Sequence, residues 1–222
     1  MFFKKKFLTD KIEKLRIYDL ELLQQEDFEN CIRFVKKYLD TTDNFDDKLI
    51  FIDSVMRMIK IEIQASLLNK VLYRDHKQPM NGIYINTGAY TDEKKTIDLE
   101  DDIVFVRPYE QVKLYDKLIY IKKNPFKYDE NNHVACYYTH LDFAYISNGM
   151  HSSSAGIIHK KGKILADVID TTILYEKFYF YTDKCFDINS RKEIYRLEDF
   201  RLGLLFEIGK IKYLLQKGEI QQ

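Results

Sequence analysis

One uninterrupted apolar stripe constrains this chain more than any other feature. Ile52, Met56, Ile59, Ile63, Leu67 and Val71 recur every three or four residues, the spacing that places side chains on one face of an α-helix. Asn44 stands where an N-cap accepts the first free amides, and Asp46 and Asp47 put negative charge in the first turn, where the helix dipole favours it. Phe51, Val55, Met58, Leu68 and Leu72 widen the apolar face, while Lys60 falls beside the stripe. The segment therefore predicts a long, central helix that other elements must cover. Upstream, Phe28, Ile32, Val35 and Leu39 keep the same period, with Thr9 or Asp10 as a cap for an earlier helical start.

The period changes at Pro79 and Asn81-Gly82, which break a helix. Short runs rich in Tyr, Ile, Val and Phe follow, and residues 83–86, 103–107, 118–122, 134–139, 143–147, 164–169 and 178–182 read as strands. The acidic stretches 98–102 and 129–132 read as loops between them. Helical spacing returns at Leu197, Phe200, Leu204, Ile208, Ile211 and Leu215, with Gly218 as the stop. Gly203 and Gly209 each cost about 1 kcal/mol against Ala inside a helix, which predicts close packing on another backbone. The class expected is α+β: a helical region over 1–78 and a C-terminal helix, packed on a mixed-sheet region within 79–222 as one compact unit.

Charge narrows the partners. Lys+Arg and Asp+Glu both number 35 in 222 residues, so the broad basic footprint of a duplex-coating protein is missing and nucleic acid is met only by a local patch. Cys31, Cys136 and Cys185 are an odd number without zinc-type spacing, and read as reduced thiols. The basic start is followed only by Phe7-Leu8 before Thr9-Asp10, too short for a signal peptide core, and no run of about 18 apolar residues occurs. A cytoplasmic protein with no membrane segment is expected.

The segment from Asp142 to Ile169 carries the chemistry. It parses as strand, tight turn, short helix, glycine stop and strand, with Gly149 at the turn and His151, Ser152, Ser153 and Ser154 at the helix start. Free first-turn N–H groups, short polar side chains and the dipole make such an end attractive to anions. Asn148-Gly149 between hydrophobic residues is equally a hairpin signal. Against a hairpin, residues 152–156 alternate poorly for a returning strand.

The same residues resemble the ParB/sulfiredoxin-like fold, in which a strand runs into Gly-x-His/Arg-Arg at the start of a helix. The resemblance implies that the turn and helix start grip nucleotide phosphates. Gly149 matches the glycine, Met150 the variable residue and His151 the first basic residue, while Ser152 replaces an arginine and with it a bidentate phosphate contact. Met150 occupies the place of the catalytic cysteine of sulfiredoxins, so that reaction is not implied. The segment also looks like bacterial proteins of unknown function carrying Asn-Gly-x-His-Ser.

Other groups add candidates. Glu207 lies on or beside the apolar face of the last helix, where a carboxylate needs a partner: it is a candidate acid or base with His151, or a rim residue reaching water. Asp167 and Asp170 fall near the same strand end. His140 and Asp142 share one face of a strand and with His151 or His133 offer three metal ligands, though isolated histidines are more often structural, and no metal is assigned. Gly149-x-His151 lacks the serine spacing of a nucleophile elbow, and Lys160, Lys161 and Lys163 read as solvated charge at a helix end. The residues name no cofactor. Two functions remain: a phosphate or nucleotide site at 148–154, and a non-catalytic interaction module, phage- or defence-related, able to form a homo-oligomer.

Overall fold

The computed structural model describes residues 2–73, 75, 83–84 and 88–219, with side chains from Asp19 onward. Two long helices come first, α1 (Phe2–Thr41) and α2 (Phe45–Tyr73), joined by three residues. Asn44 accepts from the Asp47 amide at 3.0 Å, the cap its position predicts. Thr9 and Asp10 lie inside α1 and start no separate helix.

Then follow β1 (Tyr90–Asp98), β2 (Val104–Phe105), α3 (Gln111–Lys123), β3 (Ala135–Tyr138), β4 (Phe143–Ile146), α4 (Met150–His159) and β5 (Lys163–Ile169). The chain closes with α5 (Thr171–Lys177), β6 (Phe178–Tyr181), β7 (Lys184–Asp187), β8 (Glu193–Arg196) and α6 (Phe200–Lys217). A mixed five-stranded sheet has the order β1-β5-β3-β4-β2, and β6-β7-β8 form an antiparallel meander. The class is α+β.

Strand alternation splits the core in two. Phe105, Tyr138, Phe143, Tyr145 and Ile169 pack with Ile52, Met56, Ile59 and Ile63 of α2 and with Leu204, Leu205 and Ile208 of α6. Val104, Val106, Ala135, Ala144, Ile146, Ile164 and Ala166 face the other way and meet Met150, Phe126 and Ile157 from the α3 and α4 side. The terminal helices thus cover one face of the sheet, and α4, with α3 packed on it, lies on the other.

Both helical glycines of α6 sit where a side chain has no room. A Cβ on Gly203 falls 2.2 Å from the Thr182 carbonyl oxygen, and one on Gly209 falls 2.4 Å from Leu141. Gly218 ends α6 in the left-handed region, φ 71°, as its position predicts.

Several expectations fail. Residues 118–122 are helical, part of α3, because Leu114 and Ile121 are buried at a helical spacing against α4. Strands β1, β7 and β8 and helix α5 carry too many charged residues or are too short for periodicity to reveal. Of the expected strand 83–86, Ile83 and Tyr84 are bends and the rest lies outside the described residues. The second stripe of α2 is covered in part: Val55 is buried and Phe51 and Leu68 pack half-buried on the core, whereas Met58 and Leu72 are each 62% exposed. Lys60 is buried, its ammonium donating to the carbonyls of Leu141 and Asp142. No helix among the described residues is long and apolar enough to cross a membrane.

Candidate functional site

Strand β4 ends at Ile146, and the Ser147 amide donates to the Val134 carbonyl at 2.9 Å, pinning the turn to the start of β3. Asn148 Oδ1 accepts from the Gly149 amide at 2.9 Å. Gly149 has φ 74°, and a Cβ there falls 2.6 Å from His133 Cδ2 and 2.8 Å from the Asn132 carbonyl oxygen. Only glycine satisfies both constraints. Helix α4 starts at once, its first internal bond running from the Ser153 amide to the Gly149 carbonyl at 3.0 Å. The amides of Met150, His151 and Ser152 precede any carbonyl the helix can offer. The turn is no hairpin: β4 pairs with β3 and β2, β5 pairs with β1 and β3, and α4 carries the chain between them.

A polar chain closes over this start. His133 Nδ1 lies 3.0 Å from the Asp129 amide and 3.1 Å from the Asp129 carbonyl oxygen, so it accepts from the one or donates to the other according to its tautomer. Nε2 lies 2.9 Å from Ser152 Oγ, which donates to the Gly149 carbonyl at 2.9 Å. Burial holds the His133 pKa below its ordinary value. In either tautomer the His133–Ser152 hydrogen bond latches the loop to the helix start.

Beside the latch, a cavity of about 420 Å³ opens between α3, the loop 124–134 and the start of α4. Lys117, Tyr120, Lys127, Tyr128, Asp129, Asn132, His133 and Ser152 line it, and Ile121 and Phe126 supply apolar wall. The Tyr128 ring stacks on His133 at 5.9 Å between centroids, and Lys117 Nζ sits 6.0 Å from the Tyr120 centroid. Two lysines, four rings, one carboxylate and an amide side chain thus share one space with the helix start.

The candidates from the sequence divide. Asn148, Gly149 and Ser152 stand at the turn and latch. His151 faces α3: its Nε2 accepts from the Glu110 amide at 3.2 Å and its ring meets Tyr109 edge-on at 4.6 Å. Burial lowers its pKa, so it is a neutral acceptor there. Ser154 Oγ donates to the Met150 carbonyl at 2.7 Å, and Ser153 Oγ is enclosed without a hydrogen-bond partner among the described residues.

Glu207 belongs to a different place, accepting from the Phe180 amide of β6 at 2.7 Å, with desolvation raising its pKa to about 6. Asp167 pairs with Lys94, and Asp170 caps α5 through the Thr172 amide at 2.9 Å. His140 packs on Tyr213, whereas Asp142 accepts from Tyr137 at 2.8 Å. Among the described residues no three metal-ligating side chains form a cluster that could hold an ion. Lys161 is engaged, capping α3 through the carbonyls of Ile121 and Lys122 at 3.1 and 3.0 Å.

Sequence reasoning missed Lys117, Tyr120, Lys127, Tyr128 and Asn132 because it read 118–122 as a strand. The available signal was the interleaving of lysine and tyrosine from 113 to 128.

The chain belongs to a family of unknown function, DUF6710, which matches residues 9–219. No curated protein and no solved structure matches it.

Proposed function

We propose that this DUF6710 chain binds a nucleotide, or another small molecule carrying phosphate, in the cavity at the start of α4. The observation that carries the reading is the lining: Lys117 and Lys127 for phosphate, Tyr120 and Tyr128 for a base, and Ser152 of the first helical turn at the same space. Asn148 and Gly149 shape the turn, and His133 and His151 position the loop and α3 around it. The resemblance to the ParB/sulfiredoxin-like fold supports the same reading, since strand, glycine turn, helix and strand occur here in that order. No reaction is assigned: His151 and Glu207, engaged with the amides of Glu110 and Phe180, are not among the residues that line the cavity.

The test is thermal unfolding with inorganic phosphate, sulfate and a panel of nucleoside mono-, di- and triphosphates. A ligand at about 100 times its dissociation constant adds about 2.7 kcal/mol of stability. Lys117→Ala and Lys127→Ala should abolish the response while leaving the unliganded melting temperature unchanged. A wild-type protein indifferent to the whole panel ends the nucleotide reading.

The interaction-module reading is favoured by a separate observation. Leu23, Phe34, Ile50, Met58 and Leu72 of the long helices are between 55% and 64% exposed. Light scattering across a concentration series tests whether that surface pairs two copies of the chain; a monomer at all concentrations counts against homo-oligomer formation.

A further inference from the structure

Basic and aromatic side chains continue past the cavity along α3. Lys113, Lys117 and Tyr120 follow one another at four and three residues, which aligns them on one flank of the helix, and Lys127 and Tyr128 extend the line beyond its C-terminus. Tyr120 and Tyr128 are 48% and 41% exposed, and Lys113, Lys117 and Lys127 are exposed as well. The flank from Lys113 to the end of α3 is about 15 Å long, more than one nucleotide needs.

One acid, Asp129, lines the cavity itself, and its Oδ1 accepts from the Asn131 amide at 3.0 Å. Asp116 lies about 100° around the helix from Lys117. Glu110 pairs with Lys113 at 2.7 Å, but both side chains are exposed, so the pair is weak and its lysine can be exchanged to a phosphate. The chain as a whole is neutral, so this flank is a local feature and no general basicity explains it.

We propose that the flank and the cavity together hold a single strand of nucleic acid, the nucleotide in the cavity being one unit of it; this rests on the nucleotide reading above. Charge complementarity selects a phosphate chain, with Lys113, Lys117 and Lys127 along its path. The exposed rings select a single strand, because bases paired in a duplex present no free face to Tyr120 or Tyr128. A free nucleotide leaves Lys113 without a role, whereas a strand engages it.

Fluorescence anisotropy with a short labelled oligo-dT strand tests this, alongside its oligo-rU counterpart, an abasic strand and a duplex of equal length. The expected result is binding of oligo-dT or oligo-rU at least about fivefold tighter than the abasic strand and the duplex. Tyr120→Ala should cost about fivefold or more. Lys113→Gln should weaken strand binding and reduce the slope of log affinity against log salt by about 0.7, while leaving the response to free nucleotides intact. Both residues are on the surface, and circular dichroism checks that the variants fold.

Equal binding of the abasic strand or the duplex overturns the proposal, as does a Lys113→Gln variant with unaltered strand affinity. Binding of free nucleotides without binding of either strand overturns it while the nucleotide site stands. Failure of strands and free nucleotides alike removes both.

Discussion

Two single residues hold conformations that their neighbours require. Gly149 combines φ 74° with contacts that exclude a side chain. Gly149→Val is expected to destabilise by about 2 to 4 kcal/mol, the sum of left-handed strain and displacement of His133 and Asn132. Urea unfolding measures it, and a loss under 1 kcal/mol would show that the loop moves aside freely. Lys60 is the second case. Its ammonium reaches from α2 to the carbonyls of Leu141 and Asp142 at 3.0 and 2.9 Å, with the Asp142 carboxylate at 3.7 Å. These acceptors belong to the β3–β4 turn, where His140 and Asp142 have φ of 57° and 53°. Desolvation lowers the Lys60 pKa, partly offset by Asp142. Its place beside the stripe suggested a harmless position, yet Lys60→Asp buries a carboxylate too short to reach the turn and leaves the two carbonyls without their donor. We expect it to cost about 3 kcal/mol or more, close to Ile59→Asp, so melting temperatures well separated in favour of Lys60→Asp would contradict the clamp.

At the scale of elements, the α4 segment holds α3 at three points. His151 accepts from the amide of Glu110 at the α3 N-cap, His159 Nε2 lies 3.0 Å from the Leu118 carbonyl, and Lys161 caps the last turn. Ile119, Tyr120 and Ile121 favour a strand by intrinsic preference, and these contacts with the burial of Leu114 and Ile121 outweigh it. Hydrogen exchange should therefore quicken at the C-terminal end of α3 in Lys161→Met and at its N-terminal end in His151→Ala, with β3 and β4 unaffected. Uniform acceleration through the sheet would show that α3 has no separate attachment. Because burial lowers the His151 pKa, its protonation is favoured in the unfolded chain. The contribution is present above the ordinary histidine pKa and fades as pH falls, loosening the α3 N-terminus in acid.

Across the whole molecule, the second sheet is joined to α6 through Glu207. Its pKa of about 6 lies above the ordinary 4.5, so protonation favours the folded state. The stability linked to that proton is complete below about pH 4.5 and is lost as pH rises through 6, a cost of about 2 kcal/mol at neutral pH. Glu207→Gln keeps an oxygen for the Phe180 amide and carries no charge. Its stability gain over wild type should be near zero at pH 4 and grow to about 2 kcal/mol above pH 7. A difference that does not change with pH would remove Glu207 as the cause.

What the sequence by itself determined is whatever depends on residues near one another along the chain. The stripe of α2, the Asn44 cap, the Gly218 stop and the order strand, glycine turn, helix and strand at 143–169 follow from local periodicity and backbone preference, and all are present. The need for glycine at 203 and 209 was legible too, although Thr182 and Leu141, which impose it, were not. Only the tertiary structure decided that residues 118–122 are helical, that Lys60 faces inward and that His151 turns to Glu110 while Ser152 meets His133. Each depends on a partner distant in sequence: hydrogen bonds and burial are satisfied in space, and a side chain's period along one helix does not specify which neighbour the fold will bring to it.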